Sequence, residues 1–516
     1  MKKDIKILIV IIFIVILVLQ ISLRIYLGNL KLFFWGDEIL SYILIEPIVN
    51  KDEHFDFNNR WNVKEEILNF FTCNKDEGLN LKQIFENQSL DQHPPIYYIL
   101  LKILSNNFGV FTKWSGITLN IIIFAISNII LYLICNEIFK DKKKSILICF
   151  TYGFTKLSFF STIFIRMYEL TTLNLLILAY INIKIVKNGI DYKKCIIIAI
   201  ATIIGILTHY YYIIYAGFSY LIYVIICLRE NKKKSIFKYI ITLLISYTIS
   251  LIIFPSILRH IFIHEVGKST INNFWMGING EKIKQYIKFI DNGIFTNKII
   301  YVIITMIILV IILKIKEKNR LIVKLDNSLL ILTAPAIMYF IIIAQITPYI
   351  EERFIYPIVP FIVIGFLHCL ERLIKKTLKK EVILYAFAIL LVTMNIKTGI
   401  QETKLTYNFY ERDKIENINQ IPYIYVYDES NDNRIKQIGR FIISDKSYIL
   451  NESKAEKSNL NNIIEQVDIT NGILIYFDCE DSEKYIEMIK ELNKFNEIEV
   501  LLTEGFWGRQ TYYFKK

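Results

Sequence analysis

The sequence predicts a polytopic α-helical membrane protein with about 11 transmembrane helices and a small extracytoplasmic α/β domain at its C-terminus. Three observations carry this expectation. The chain of 516 residues is 54% hydrophobic, more apolar than a soluble protein of that size requires. Apolar runs long enough to cross a bilayer recur from the N-terminus to residue 398. Beyond that point short β-rich runs alternate with charged, helical ones.

The first apolar run, 5–27, follows "MKKDIK". It is too long for the core of a signal peptide and no small-x-small cleavage site follows, so it reads as a retained helix. Further spans are expected over 116–138, 145–164, 167–187, 195–209, 211–228, 236–257, 297–315, 328–345, 354–372 and 381–398. The stretch "PPIYYILLKIL" is too short to span and reads as interfacial.

Basic residues set the orientation. One set of short loops reads "KDKKKS", "KNGIDYKK", "RENKKKS", "KIKEKNR" and "ERLIKKTLKK", while the alternate loops nearly lack Lys and Arg. By the positive-inside rule the first set and the N-terminus are cytoplasmic. The loops 28–115 and 258–296 and the tail from 399 then lie outside. The net charge of +12 follows from this topology, so nucleic acid is not an expected partner.

The tail carries "IPYIYVYDES", "NRIKQIGRFI", "GILIYFDCE", "SEKYIEMIKEL" and "IEVLLTEGFW", with polar loops such as "NESKAEKSN" between them. Two domains are therefore expected: a transmembrane domain over 1–398, with an outer loop at 28–115, and an extracytoplasmic α/β domain over 399–516. No repeat or low-complexity tract interrupts either. Cys135, Cys149, Cys195, Cys227 and Cys369 lie in or beside apolar segments and read as packing residues. Cys73 and Cys479 share a side, but nothing in their context pairs them.

Ionisable groups beside apolar segments are costly, so their placement is informative. Asp37 and Glu38, in "FFWGDEILSY", follow the first helix on the outer side. "DQHPPIYY" (91–98) closes the first outer loop. "FIRMYEL" (164–170) and "THYYY" (208–212) fall at outer turns, and "YIEERFIYPIVP" (349–360) enters a late helix from outside. Five stretches thus converge on one membrane face. A transporter would more often bury charge near the midplane and show repeated halves.

A sugar carried on a lipid phosphate would suit such a face. Transfer needs a base to deprotonate the acceptor and cations to stabilise the leaving phosphate. The planar fork of Arg matches phosphate oxygens. Arg166 and Arg353 are the candidates, with His93, His209, Tyr168 and Tyr356 lining the donor site. Pro94 and Pro95 fix the chain direction after His93. Separately, "RHIFIHE" puts His260 and His264 at i, i+4 spacing beside Glu265, a spacing that can hold a divalent metal on one helix face. Trp275 in "NNFWMG" reads as an interface anchor.

The acidic pair after helix one, "HPPIYY", "RMYELTTLNLL", "THYYYIIY" and "RFIYPIVPFI" occur in this order. Together they resemble the GT-C glycosyltransferases of the protein-mannosyltransferase and aminoarabinose-transferase type (family 39-like), over residues 1–398. The resemblance implies a polyprenyl-phosphate sugar donor, inversion at the anomeric carbon and an essential acid in the first outer loop. By position that acid is Asp37, with Glu38 as its neighbour. The implied partners are the lipid-linked donor, membrane lipids and an extracytoplasmic acceptor hydroxyl or amine on a protein, wall polymer or lipid. No cofactor is required by the pattern; a divalent metal stays open. The alternatives are a lipid-linked-sugar flippase or polysaccharide transporter, and a GT-C-like oligosaccharide ligase or polymerase.

Overall fold

The computed structural model describes residues 2–32, 34–46, 59–61, 64–73, 78–298, 301–302, 326–374, 380–407, 418–428, 442, 444–479, 482–503 and 510–516. The chain divides into two units. The first comprises Met1–Tyr26, Phe85–Leu100 and Ile117–Gly399; the second comprises Leu27–Ile84, Leu101–Gly116 and Ile400–Lys516.

Among the described residues, eight helices are long and apolar enough to cross a membrane: Ile7–Leu30, Lys113–Phe139, Tyr168–Asn188, Tyr212–Arg229, Lys233–Ile253, Asn327–Ile346, Glu352–Arg372 and Glu381–Lys404. The chain is a polytopic helical membrane protein, as expected. Three of the 11 expected spans are not among these eight helices of the described residues, each for an identifiable reason. The span expected over 297–315 falls almost entirely outside the described residues. The span expected over 195–209 is the 15-residue helix Tyr192–Ile206. The span expected over 145–164 is broken into Lys142–Gly153 and Lys156–Ile163, which meet at a 61° bend.

The helices up to the membrane hairpins are α1 (Lys2–Leu30), α2 (Gly36–Ile43), α3 (Lys64–Phe70), α4 (Leu81–Leu90), α5 (Ile96–Phe108), α6 (Lys113–Phe139), α7 (Lys142–Gly153), α8 (Lys156–Ile163), α9 (Tyr168–Asn188), α10 (Tyr192–Ile206), α11 (Tyr212–Arg229), α12 (Lys233–Ile253), α13 (Ser256–Phe262), α14 (Glu265–Trp275) and α15 (Gly280–Ile290).

Their ends follow capping chemistry. Asp141 accepts from the Lys143 and Lys144 amides to start α7, and Asp191 accepts from the Lys194 amide to start α10. The α7–α8 break is built around a buried cation. Arg24 of α1 is 0% exposed. It donates to the Gly153 carbonyl at 3.0 Å, to Ser158 Oγ at 2.6 Å and to Thr162 Oγ1 at 3.1 Å. Its guanidinium carbon also lies 3.4 Å from the centre of the Phe124 ring. The guanidinium thereby satisfies a carbonyl left without a partner where α7 ends, which water would otherwise have to do.

In the second unit a five-stranded sheet has the order β2-β1-β3-β5-β4, with β1 Tyr423–Tyr427, β2 Ser447–Asn451, β3 Ile473–Asp478, β4 Glu497–Thr503 and β5 Gln510–Lys515. β1 pairs in parallel with β2 and with β3, while β5 pairs antiparallel with β3 and β4. The parallel step from β2 to β3 requires a crossover, and the helix Lys457–Glu465 supplies it. The polar "NESKAEKSN", expected as a loop, therefore runs into a helix at Lys457. Alternate strand residues Ile424, Val426, Ile475, Phe477 and Phe514 form a core with Leu460, Ile463 and Ile489. Trp61 packs on the same core, its ring 5.1 Å from that of Tyr448. All seven cysteines are free; Cys369 is exposed rather than packed.

Candidate active site

In the first unit, four chain breaks at one end of the spanning helices come together. The first is the link from α4 to α5. Pro95 precedes the first turn of α5, and the Ile96 amide donates to the Leu207 carbonyl at 3.1 Å, which joins the "HPP" segment to the turn between α10 and α11. That turn is tight. A Cβ on Gly205 would lie 2.4 Å from the Tyr212 ring, so glycine at this position leaves room for that ring against the end of α10. The third break is the non-helical link from α8 to α9. Asn120 of α6 donates to the Thr162 and Phe164 carbonyls at 3.1 and 2.9 Å, satisfying groups that the end of α8 leaves without helical partners. The fourth is the turn of 3₁₀ helix Glu352–Ile358, held by the Tyr339 hydroxyl on the Phe354 carbonyl at 3.1 Å.

These breaks assemble a polar chain. Asp91 Oδ2 lies 2.6 Å from His93 Nδ1, and His93 Nε2 lies 3.0 Å from Arg166 Nη2. Arg166 Nη1 donates to the Tyr98 hydroxyl at 3.2 Å. Arg166 is buried, and its partner is His93 rather than the sequence neighbour Glu169, which instead accepts from Ser161 Oγ at 2.6 Å.

An aromatic group adjoins this chain. Tyr168 stands 5.5 Å from His209, 6.1 Å from Phe354 and 6.2 Å from Tyr356, measured between ring centres. The Arg353 guanidinium lies 5.8 Å from the Phe164 ring and 5.5 Å from the Phe354 ring. Tyr356 donates to Glu352 Oε1 at 2.8 Å. His209 sits in the turn with its Nδ1 accepting from the Tyr211 amide at 3.1 Å. Burial, with the charge on the nearby Arg166 acting in the same direction, pushes its pKa down to about 3, so it is a neutral imidazole. The structure thus unites Arg166, His93, His209, Tyr168, Arg353 and Tyr356.

Asp37 and Glu38 belong to the second unit, in the first turn of α2. They are not equivalent. Glu38 is fully buried: one oxygen pairs with Lys31, also fully buried, and the other accepts from the Trp35 amide at 2.8 Å. Glu38 is thus the N3 residue of α2 whose carboxylate caps the Trp35 amide, and its pairing with Lys31 makes it a structural strut. Asp37 is half-buried.

The chain was compared with known proteins. Residues 76–439 match the model of the family described as "Predicted membrane protein (DUF2079)". The chain belongs to that family. A comparison with curated proteins gives no significant match. Among solved structures, this DUF2079 chain is similar to ArnT from Cupriavidus metallidurans bound to undecaprenyl phosphate, at 9% identity and a TM-score of 0.48 over 97% of both chains. It is also similar to the archaeal oligosaccharyltransferase AglB from Archaeoglobus fulgidus, in complex with an inhibitory peptide and a dolichol-phosphate. That likeness has 11% identity and a TM-score of 0.45, and covers 92% of this chain and 70% of the other.

The proposed metal pair needs correction. His260 and His264 do not share one helix: α13 ends at Phe262, and His264 caps the start of α14 through its own ring nitrogen, 3.3 Å from the Val266 amide. His260 Nε2 donates to the Ser89 carbonyl at 3.1 Å, and its Nδ1 accepts from the Tyr210 hydroxyl at 2.7 Å. The i, i+4 spacing presumed a continuous helix, and the chain breaks inside it. No cluster of three or more His, Cys, Asp or Glu able to hold a metal ion occurs among the described residues.

Sequence reasoning passed over Asp91 and Tyr98. The Asp-x-His spacing inside "DQHPPIYY" was the available signal for the first. Nothing in the pattern singles out Tyr98 among its neighbouring tyrosines.

Proposed function

We propose that this chain is a membrane glycosyltransferase that moves a sugar from a polyprenyl phosphate to an extracytoplasmic hydroxyl or amine, with inversion. One observation carries the reading: two arginines, two imidazoles and an aromatic group are gathered from four separate chain breaks at one end of the spanning helices. Arg166 and Arg353 match a phosphate held at the membrane surface. The rings of Tyr168, Phe354 and Tyr356 suit a sugar face or the lipid boundary. This end alternates with the Lys-rich loops, so by the positive-inside rule it faces outward, with the N-terminus cytoplasmic and the tail outside. The domain boundary near 398 belongs to the same reading.

Asp37 is the proposed general base. It takes the proton of the acceptor, whose oxygen or nitrogen attacks the anomeric carbon. The bond from that carbon to the phosphate oxygen breaks, and the lipid phosphate leaves with the electron pair, stabilised by the two guanidinium groups. Asp37 takes this role by its place in the first outer loop, where it is half-buried at the start of α2.

The test is incubation of the purified full chain in nanodiscs with defined polyprenyl-phosphate sugars and acceptors. Release of free polyprenyl phosphate that depends on Asp37 supports the reading. Release of none from any donor, by a folded protein, overturns it.

A further inference from the structure

We propose that Asp91 is a positioning residue for Arg166: acting through His93, it decides which imidazole nitrogen receives the guanidinium, and so holds that cation toward the lipid phosphate. The proposal rests on the glycosyltransferase reading, which makes the phosphate the group that Arg166 meets.

The contacts fix the proton. A guanidinium has donors and no acceptor. With Arg166 Nη2 at 3.0 Å, His93 Nε2 must therefore be unprotonated. The single ring proton is on Nδ1, where it is donated to Asp91 Oδ2 at 2.6 Å. The second donation, from Arg166 Nη1 to Tyr98 at 3.2 Å, sets the plane of the fork. Two contacts on different nitrogens leave a planar group little freedom to turn, which is the requirement for matching phosphate oxygens.

Asp91 is itself held in place. Its amide donates to the Asn87 carbonyl at 3.0 Å as the chain leaves α4. Arg259 and His260 both donate to the Ser89 carbonyl, anchoring the end of that helix. Burial alone would raise the Asp91 carboxyl, but His93 and then Arg166 outweigh it and hold the group below the usual carboxylate range. Asp91 therefore remains an acceptor across the working pH range.

Protonation of His93 undoes the arrangement. An imidazolium has two donors, so Nε2 no longer accepts from Arg166, and two like charges face each other. The charged and titratable groups around His93 are Asp91 on its own segment, Arg166 before α9, Tyr98 on α5 and His209 before α11; Arg259 and His260 flank Asp91 through Ser89. Asp91 favours the imidazolium, and Arg166 opposes it. Phosphate binding is thus expected to fall on an acid limb whose position Asp91 sets.

The test uses the full chain in nanodiscs, with farnesyl phosphate as the probe and farnesol as its uncharged control, from mildly acid to neutral pH. Wild type should bind farnesyl phosphate more tightly than farnesol and lose that preference on the acid side. Asp91→Asn keeps an acceptor oxygen without the charge, so the acid limb should move down by about one pH unit, as expected on losing an adjacent opposite charge. Asp91→Ala removes the acceptor and should weaken binding by about tenfold at neutral pH, the loss of roughly one charge-assisted contact. His93→Gln, which can accept from Arg166 and donate to Asp91 without titrating, should abolish the limb, whereas His93→Ala should weaken binding at every pH. Histidine nitrogen NMR of the ligand-free protein, assigned with His93→Gln, should show His93 protonated on Nδ1.

A limb unmoved in Asp91→Asn, or wild-type affinity in Asp91→Ala, overturns the proposal. A proton on Nε2 of His93 overturns it without any ligand. If wild type binds farnesyl phosphate no better than farnesol, the lipid-phosphate reading fails instead, and the NMR result still decides the arrangement of Asp91 and His93.

Discussion

Glu38→Gln separates the two members of the acidic pair. In the folded chain the Glu38 carboxylate and the Lys31 ammonium are both at 0% exposure, and they are each other's charge partner. Glutamine preserves the size and can still accept from the Trp35 amide, so the N-terminal cap of α2 should persist. What is lost is the charge opposite a buried ammonium. Removing one partner of a buried ion pair costs about 3–5 kcal/mol, because the remaining ion keeps its desolvation penalty without compensation. Against a total stability of roughly 5–15 kcal/mol, that is about a fifth or more of the margin. The assay is unfolding of the purified protein in detergent, with both proteins heated at one scan rate because membrane proteins of this size seldom refold. The control is Lys31→Met combined with Glu38→Leu. It replaces the pair with apolar groups and should recover most of the loss. If Glu38→Gln unfolds at the wild-type temperature, Glu38 is not the strut described. If the double variant is as weak as the single one, the ion pair is not the cause.

Other outcomes follow from the same structure. Asp37→Asn should lower sugar transfer by about 10²–10⁴-fold, the usual share of a general base, with donor binding little changed when the two are measured separately. Arg353→Ala should weaken donor binding as well as turnover, measured by titration with a polyprenyl phosphate. Burial, and then the neighbouring Glu46, push the Cys73 thiol up to about 12, and the thiol donates to Glu46 Oε1 at 2.7 Å. It is therefore protonated at neutral pH and should resist alkylation until the protein is unfolded, as mass spectrometry after pulse labelling would show. Cysteines introduced into the tail should label from outside intact cells, and labelling only after permeabilisation would reverse the topology.

The sequence by itself determined the class of the molecule. Spanning helices are local objects: in lipid every backbone group must be satisfied within the segment, so an apolar run declares its helix without reference to anything distant. The tail was legible for a similar reason, since the β-branched and aromatic runs "YIYVY" and "ILIYFD" are a property of adjacent residues. The four stretches that the structure brings together were also visible, because charge beside apolar sequence is conspicuous.

The tertiary structure decided what those stretches do to one another. Whether Arg166 pairs with Glu169 or with His93 depends on where the link before α5 meets the link before α9, which no spacing encodes. The pairing of Glu38 depended on Lys31, seven residues away and brought back by the turn into α2. The break between α7 and α8 was hidden because its cause, Arg24, lies 129 positions from the Gly153 carbonyl it satisfies. His260 and His264 misled for the converse reason: their spacing is meaningful only on an unbroken helix, and the chain turns between them. Composition and periodicity report on neighbours in sequence. Hydrogen-bond partners, and with them the location of protons and charges, are settled only when distant segments pack.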